Sequence, residues 1–516
     1  MAVPIIDLFA GPGGLGEGFS QVGWREGNPF FRIGLSVEKE SFAHRTLRLR
    51  SFVRQFPYEK IPAEYFQFLR EGKAPEELFS LNKFSEQAKK AEDEAWNATL
   101  RNDDDFNAEL DSRIHATLKD RQNWVLIGGP PCQAYSMAGR SRNKSKKDYC
   151  PEKDDRHFLY QEYLRIIGVH SPAVFVMENV KGLLSSKVNG NAVFKQILQD
   201  LRSPANGHGC RYRIFSLTSA PDSYEDPEFA DKDFIIESEL YGIPQNRHRV
   251  VLLGIREDIC QQGIKPSVLR KEKKVSLYKI LTLPELRSGI SRGKYDEHDW
   301  MKAVKRFPVN KLSHEIERLS DRWTMNNIWD ALRDLRVPPS DMGGNFVKKS
   351  PSPIKDDHLK AWYEDQRIQG VFNHSARTHM ESDLHRYLYA SSFAKAKGRS
   401  PKMEEFPELL KPAHKNRDSG DFNDRFRVQV TGKPATTVTC HISKDGHYFI
   451  HPDPSQCRSL TVREAARIQT FPDNYFFCGN RTEQYIQVGN AVPPLLANKI
   501  ASIVKTILTE AFGDCG

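Results

Sequence analysis

Short apolar runs, each closed by glycine, proline or polar residues, recur through the first half of the chain. They predict strands at Val3–Ile6, Ile33–Val37, Val125–Ile127, Val174–Met177 and Val250–Gly254. The runs are continuous rather than alternating, which is typical of strands that are buried on both faces.

Helical periodicity separates these strands. The clearest helical patterns are Arg156–His170 and Ala192–Leu201, and an apolar helix is predicted from Leu495 to Ile507. Strands that alternate with helices indicate the α/β class, with a parallel sheet and helices on both faces.

Two segments interrupt this rhythm. Residues from about 52 to 109 are rich in Glu, Lys, Ala and Leu, and predict a helical insertion within a first domain of residues 1–258. Residues 259–457 lose the strand–helix alternation and predict a second, irregular domain. The regular pattern resumes over 458–516, and we expect the chain to rejoin the first domain from about residue 485. A chain of 516 residues is long enough for more than one domain.

Composition narrows the class of protein. A net charge of +9 and a pI near 8.9 favour a polyanionic partner, although many basic proteins have none. The eight cysteines are scattered and no two are separated by only two residues, so neither a metal site nor a disulfide scaffold is expected. No stretch approaches the ~18 apolar residues of a membrane span, and the start lacks a signal-peptide pattern. We therefore expect a reduced, cytoplasmic protein.

Candidate chemistry follows the predicted strand ends, which share one edge of a parallel sheet. Gly11–Gly16, "GPGGLG", follows the first strand and fits G-x-G-x-x-G, and Glu38 follows the next strand. Glycines allow close backbone approach, and the acid can accept hydrogen bonds from ribose hydroxyls. This pattern indicates an adenosine-containing cofactor or a purely structural glycine turn, and leaves NAD and S-adenosylmethionine both open.

Cys132 ends the third strand region in "GGPPCQ". Most free cysteines are small buried hydrophobic residues. Here two prolines fix the backbone before the thiol, and the basic stretch "GRSRNKSKK" follows it. Nearby positive charge increases the thiolate fraction, so the pattern favours a nucleophile.

Two further strand ends carry charged groups. Glu178, in "ENV", either caps a following helix or acts as a general acid near the thiolate. Arg247 and Arg249 are two residues apart and are expected to point to the same side. Such a pair is either a solvated face or a donor set for a carbonyl or phosphate.

The motifs, taken in order, resemble the DNA cytosine-5 methyltransferase family of the bacterial restriction-modification type. Six ordered blocks carry the resemblance: "DLFAGPGGLGEGF" (Asp7–Phe19), "PPCQAYSMAGR" (Pro130–Arg140), "MENVKGLL" (Met177–Leu184), "QNRHR" (Gln245–Arg249), "RSLTVREAARIQTFPD" (Arg458–Asp473) and "QVGNAVPP" (Gln487–Pro494).

The resemblance implies a Rossmann-like, S-adenosylmethionine-dependent methyltransferase sheet with a smaller, irregular target-recognition domain over residues 259–457. S-adenosylmethionine is then the cofactor. Glu38 holds its ribose, Asn490 closes the pocket and Leu159 contacts it through the backbone. Asp111 is the best match to the family's adenine-binding acid, although the usual preceding glycine is absent. The residues implied to line the cofactor are Phe9, Gly11, Gly13, Gly14 and Leu15.

The family's mechanism agrees with the residue chemistry. It implies that the Cys132 thiolate adds to C6 of a flipped-out cytosine, while Glu178 contacts N3 and Arg249, with Arg247, contacts O2. The loop after Cys132 carries Ser136, Arg140 and Arg142 and is expected to close over duplex DNA. A monomeric modification enzyme at the nucleoid is expected, with any matching restriction endonuclease acting separately.

Three alternatives remain. A branch of the same family methylates tRNA, but the 208 residues between Arg249 and Arg458 favour duplex DNA. A catalytically silent DNA-binding homologue would be expected to lack Cys132, Glu178 or Arg249. A Rossmann dehydrogenase leaves "PPCQ" and "GNAVPP" unexplained.

Overall fold

The computed structural model describes residues 2–131, 155–188, 191–204, 209–292, 295–413 and 423–513. The predictions for Cys132, Ser136, Arg140 and Arg142 lie outside the described residues.

Sixteen strands are found among the described residues. They are β1 Val3–Leu8, β2 Phe31–Glu38, β3 Ala95–Asn97, β4 Val125–Gly128, β5 Val174–Val180, β6 Lys187–Val188, β7 Asn191–Ala192, β8 Tyr212–Phe215, β9 Ile235–Glu237, β10 Gln245–Asn246, β11 His248–Arg256, β12 Gly289–Ile290, β13 Gly343–Val347, β14 Val371–Ser375, β15 Thr378–His379 and β16 Ala435–Thr436.

The α-helices of the described residues, in chain order, are α1 Gly14–Ser20, α2 Ser41–Arg54, α3 Ala63–Glu71, α4 Pro75–Phe79, α5 Ser85–Glu94, α6 Asp104–Leu118, α7 Asp155–His170, α8 Val193–Arg202, α9 Glu257–Cys260, α10 Glu297–Lys305, α11 Val309–Leu319, α12 Arg322–Arg333, α13 Asp357–Tyr363, α14 Glu381–Lys397, α15 Val462–Ile468, α16 Arg481–Asn490 and α17 Pro494–Phe512.

One sheet organises the fold, in the order β3-β2-β1-β4-β5-β11-β8, with β9 also paired to β11. The strands from β3 to β5 are parallel, whereas β11 runs antiparallel to β5, β8 and β9. All five predicted strands lie within observed ones, and the predicted α/β class is confirmed. The sheet is mostly parallel rather than wholly parallel, because the last predicted strand reverses direction.

Both faces of the sheet are covered, which explains the continuous apolar runs. Ile5 belongs to a hydrophobic cluster that includes Leu15 of α1 and Leu495 of α17. The next residue, Ile6, belongs to the opposite cluster, which includes Leu110 of α6 and residues of α7 and α8. Successive side chains of one strand therefore enter two different cores.

The predicted insertion of residues 52–109 is longer than the segment that departs from the sheet. Strand β3 falls inside that range and pairs with β2, and α6 packs against the sheet. The helices added between α2 and β3 are α3, α4 and α5, of which α5 packs on α2 and β2 and ends at Glu94. A three-residue edge strand is too short to show as an apolar run, so the pattern hid it.

Residues 259–457 contain α10–α14 and short strand pairs. A separate core is formed by residues of α10, α11, α12 and α14, among them Trp300, Ile328 and Tyr387, whereas Tyr363 of α13 packs in the sheet's own core. Parts of this range nevertheless join the sheet's own core, including Leu277 and Val438. The chain also returns earlier than residue 485, because α15 and Phe471 pack into that same core.

The C-terminal segment touches the N-terminal glycine-rich turn. A Cβ atom on Gly14 would overlap Val492 O, and one on Gly18 would overlap Ala497 Cβ and Pro494 O. Asn498 Nδ2 donates to Gly18 O at 2.9 Å. Residues 481–512 are apolar and long enough to cross a membrane, but 67% of the most apolar window is buried inside the protein. This stretch therefore serves as a core element of the fold.

Gly18→Ala should lower the free energy of unfolding by about 1–3 kcal/mol, because the added methyl group meets backbone atoms that cannot rotate away. Urea or thermal unfolding measures the change. Gly432→Ala is the matched control, since a Cβ there has nothing within 4 Å. Equal stability of the two variants would contradict the close packing of α1 on α17.

Candidate active site

A cavity of about 500 Å³ lies at the carboxyl edge of the sheet, where β1, β2, β3, β4 and β5 end. Its volume falls in the usual range for small-molecule sites. Residues that line it include Phe9, Gly11, Pro12, Glu38, Ala98, Thr99, Leu100, Gly129, Pro130, Pro131, Leu159, Glu178, Asn179, Ile486, Gln487 and Asn490.

Glu38 lies at the end of β2 and is locked to the turn after β1. Its Oε2 accepts a hydrogen bond from Gly11 N at 2.7 Å, and its Oε1 accepts one from Glu40 N at 2.7 Å. Burial raises the pKa of Glu38 above its usual value, while these two N–H groups oppose the shift. Each oxygen keeps lone-pair capacity for a hydroxyl donor in the cavity.

The turn itself needs left-handed backbone. Gly11 has a φ of 57°, and Phe9, a rare non-glycine case, has a φ of 59°. This conformation places the Phe9 side chain in the cavity wall. Leu159 of α7 and Asn490 of α16 supply other parts of that wall.

Three predicted cofactor residues lie behind the cavity rather than in its lining. Gly13 precedes α1 as its N-cap, Gly14 is packed against Val492, and Leu15 belongs to the core under the sheet. Their contribution is to shape the turn that carries Gly11.

The structure contradicts the assignment of Asp111 as the adenine-binding acid. Asp111 lies on α6, where its carboxylate binds Arg165 at 2.9 Å and His170 at 2.8 Å on α7. Residues Ala98–Leu100, directly after β3, line the cavity instead. The error arose because β3 was not recognised in the sequence. The residues at its carboxyl end therefore could not be identified as candidates for the site.

Glu178 and Arg249 meet across the antiparallel pair of β5 and β11. Glu178 lies opposite Val251, and Arg249 lies opposite Val180. The Arg249 Nε atom is 2.9 Å from Glu178 Oε1, with side chains 16% and 14% exposed. This ion pair holds a carboxylate in the cavity wall with a guanidinium directly beside it.

The segment that leads to Cys132 is fixed against Glu178 and Asn179. Asn179 Nδ2 donates to Pro130 O at 2.9 Å. A Cβ on Gly129 would lie 3.1 Å from Glu178 Oε2, so the backbone passes close to that carboxylate. Sequence reasoning missed the part that Asn179 plays, although its position within "ENV" was a signal.

Arg247 does not share a side with Arg249 as predicted. It is fully buried, and its Nη1 donates to Val438 O at 2.8 Å and to Gly489 O at 3.4 Å. Burial, followed by the charge of Arg249, lowers the pKa of Arg247 well below its usual value. Strand β10 ends at Asn246 and β11 begins at His248, so the two-residue alternation is broken at Arg247.

A buried amide relay, also missed from the sequence, lies next to Arg247. Gln245 Oε1 accepts a hydrogen bond from Val438 N at 2.7 Å, and its Nε2 donates to Gln469 Oε1 at 2.8 Å. Gln469 Nε2 donates in turn to Val488 O at 2.7 Å. These bonds connect four segments of the sequence, at residues 245, 438, 469 and 488.

His248 turns away from the cavity to Glu239, with 3.1 Å between Nε2 and Oε1. With Glu237, these side chains form a group whose candidate metal-ligand atoms lie within 4.8 Å of one another. The His248–Glu239 pair accounts for the histidine without a metal ion.

Comparison with known proteins gives consistent matches. A family model described as C-5 cytosine-specific DNA methylase matches residues 84–506. Type II methyltransferase M.Bpa9945I of Bacillus paralicheniformis is 34% identical over 98% of this chain and 99% of its own. Type II methyltransferase M.DdeI of Desulfomicrobium norvegicum is 26% identical over 96% of this chain and 87% of its own. Type II methyltransferase M.AgeI of Thalassovita gelatinovora is 25% identical over 98% and 99%.

Arg247→Ala should lower the free energy of unfolding by about 2–5 kcal/mol, because it leaves a cavity and two unpaired carbonyl groups. Arg249→Ala, at the cavity edge, should cost clearly less stability. Urea unfolding of both variants measures the difference. Equal losses of stability in the two variants would contradict the conclusion that Arg247 is a buried structural residue and that Arg249 belongs to the site.

Proposed function

Because this chain belongs to the C-5 cytosine-specific DNA methylase family and is a DNA (cytosine-5-)-methyltransferase, we propose that it methylates C5 of a flipped-out cytosine in duplex DNA through a covalent adduct with Cys132. The observation that carries the proposal is the Glu178–Arg249 ion pair in the cavity wall, beside the Pro130–Pro131 segment that leads into Cys132.

Its biological role is part of the proposal. The relatives named above are type II methyltransferases. These names support a sequence-specific modification enzyme of a restriction-modification system. We propose in addition that it works as a monomer on double-stranded DNA at the nucleoid. A matching restriction endonuclease would then be a separate protein.

The cavity fits S-adenosylmethionine. Its volume suits a nucleoside-sized ligand, Glu38 offers two carboxylate oxygens for ribose hydroxyls, and Phe9 and Leu159 give apolar walls. When bound, S-adenosylmethionine supplies an electrophilic methyl group. Glu38, Gly11 and Asn490 would hold the cofactor, and Ala98–Leu100 would line the same cavity.

The chain's own groups then activate the cytosine ring. The Cys132 thiolate forms a bond to C6, which makes C5 an enamine carbon that can accept a methyl group. In its protonated form Glu178 donates a proton to N3, and Arg249 donates a hydrogen bond to O2, so both stabilise the charge that develops in the ring. Loss of the C5 proton to water, return of the N3 proton to Glu178 and cleavage of the bond between sulfur and C6 then release 5-methylcytosine and regenerate the Cys132 thiolate.

A cytosine inside a stacked duplex cannot reach this cavity, so the base must be flipped out. The proposed closing loop after Cys132, with Ser136, Arg140 and Arg142, supplies positive charge for the DNA backbone. In this proposal Arg249 contacts the base directly, whereas Arg247 supports it from beneath through Val438 and Gly489.

Cys132→Ala should abolish transfer of labelled methyl groups from S-adenosylmethionine to duplex DNA, because no thiolate can activate C5. Duplex carrying 5-fluorocytosine should trap the wild-type protein in an adduct that survives denaturation, since fluorine cannot leave as a proton does. Cys210→Ala, which removes a thiol outside the cavity lining, is the control and should keep activity. Activity in Cys132→Ala would disprove the covalent route, and transfer to tRNA rather than DNA would disprove the proposed substrate.

Glu38→Gln should weaken S-adenosylmethionine binding by about 10- to 100-fold, the effect of weakening hydrogen bonds to a charged group. Asp111→Asn should leave that affinity within about twofold, because its partners are Arg165 and His170 outside the cavity lining. Calorimetric titration measures both. A larger effect at Asp111 than at Glu38 would restore the assignment that the structure contradicts.

A further inference from the structure

Helices α3–α5, with the turns around them, form a helical insertion over residues 58–94 that the chemistry of the cavity does not use. One side of this helical insertion packs on the predicted target-recognition domain. Phe66 and Leu69 of the insertion share a hydrophobic cluster with Ile368 and Phe372 of that domain. The two parts therefore form a continuous apolar contact.

Arg367 of the predicted target-recognition domain lies at the centre of this contact. Its guanidinium lies 4.5 Å from the ring centroid of Tyr58 and 5.0 Å from that of Phe66. Its Nη1 donates to Tyr58 O at 2.6 Å. One arginine thus engages two aromatic rings and a backbone carbonyl of the insertion.

The geometry of Arg367 is fixed from its own side. Asp365, whose side chain is 3% exposed, accepts two parallel hydrogen bonds from Arg367, at 2.8 and 2.7 Å. Asn474 Nδ2 donates to the same carboxylate at 2.8 Å. In the reverse direction, Arg70 of the insertion donates to Arg367 O at 3.2 Å. The contact is therefore made by preorganised groups on both sides.

The other end of the insertion is tied to the catalytic half. Glu94 of α5 forms an ion pair of 2.6 Å with Arg54 of α2, and both side chains are buried. On the same helix, Arg50 donates to Glu17 of α1 at 2.8 Å. Helix α1 follows the glycine-rich turn that carries Gly11. The insertion therefore contacts the support of the cofactor turn and, through Arg367, a segment of the predicted target-recognition domain whose helix α13 also packs in the sheet's own core.

We propose that the helical insertion is a brace that fixes the orientation of the target-recognition domain, with Arg367 as a positioning residue for DNA binding. This inference rests on the proposed function, because it assumes that residues 259–457 contact the target DNA. A domain held in its DNA-binding orientation loses less conformational freedom when the complex forms. Loosening the brace should weaken DNA binding and leave the chemical step unchanged once DNA is bound.

Steady-state methyl transfer with Arg367→Ala tests the brace. The KM for duplex DNA should rise about tenfold, as expected when a well-packed arginine is truncated at an interface. The kcat at saturating DNA and the affinity for S-adenosylmethionine should stay within about twofold of wild type. A purely structural role would lower the active fraction and hence kcat without selectively raising the KM for DNA.

Matched variants distinguish the loss of a positive charge at Arg367 from the loss of its contact with Tyr58. Lys83→Ala also removes one positive charge from this part of the molecule, but Lys83 pairs with Glu64 inside the insertion, so its KM should not change. Tyr58→Ala removes an aromatic wall without changing charge and should raise KM. The Arg367→Ala/Tyr58→Ala double variant should be little worse than either single variant, because residues in contact are not additive.

An unchanged KM in Arg367→Ala, or an equal rise in Lys83→Ala, would overturn the brace. Thermal unfolding verifies that each variant is folded. If the alanine variant is unfolded, Arg367→Lys replaces it: lysine keeps the charge but lacks the planar fork, so KM should rise about threefold, and no rise would reject the proposal. A wild-type protein that methylates no duplex DNA would instead reject the proposed function.

Discussion

The fold depends on the close approach of helix α1 to the C-terminal segment. Gly14 and Gly18 let the backbone of α1 contact Val492 and Pro494, and the hydroxyl of Tyr475 donates to Pro12 O. These contacts bring the start and the end of the chain to one cavity, and any larger side chain would separate them. Packed interiors leave no room for such a change without displacement of the backbone. The polypeptide between α1 and the C-terminal segment can therefore form additional helices and domains, provided that these two segments still meet.

The same contact fixes the floor of the candidate active site. Gln245, Gln469 and Arg247 occupy positions where water is excluded, and their hydrogen bonds join β10 to residue 438, to Gln469 and to the last turn of α16. Buried polar groups are costly when they are unpaired, so this network favours one arrangement of these four segments over others. Arg249 is two residues after Arg247 and lies at the start of β11, so the network fixes the point where this strand begins. The position of the proposed catalytic arginine is thus set by buried groups that lie outside the cavity lining.

Much of this fold could be predicted from the sequence because its strands are buried on both faces and therefore apolar throughout. The motif residues were predictable for a related reason, since parallel strands bring their carboxyl ends to one edge. Strand β3 was not predictable, because three residues at a sheet edge show no apolar pattern. Since this strand was overlooked, the boundary of the insertion and the assignment of the adenine-binding acid to Asp111 were both misplaced. The prediction for Arg247 was wrong because the alternation of side chains along a strand was assumed to continue across the break between β10 and β11. The brace was also hidden, because its partners Tyr58 and Arg367 are 309 residues apart.

Two kinds of arginine can be distinguished by what their donors face. Arg247, Arg458 and Arg463 are fully buried, and their guanidinium groups bind backbone carbonyls or carboxylates of the protein. Arg249 is 16% exposed, with Nε on Glu178 and Nη1 on His248 O. Within the described part of the chain, its Nη2 has no protein acceptor. A guanidinium that is held by an ion pair and one hydrogen bond, and keeps one donor free beside the cavity wall, can bind a carbonyl oxygen of a ligand without first breaking a protein contact. This combination of restraint and an open donor makes Arg249, rather than its buried neighbour, suited to the role proposed for it.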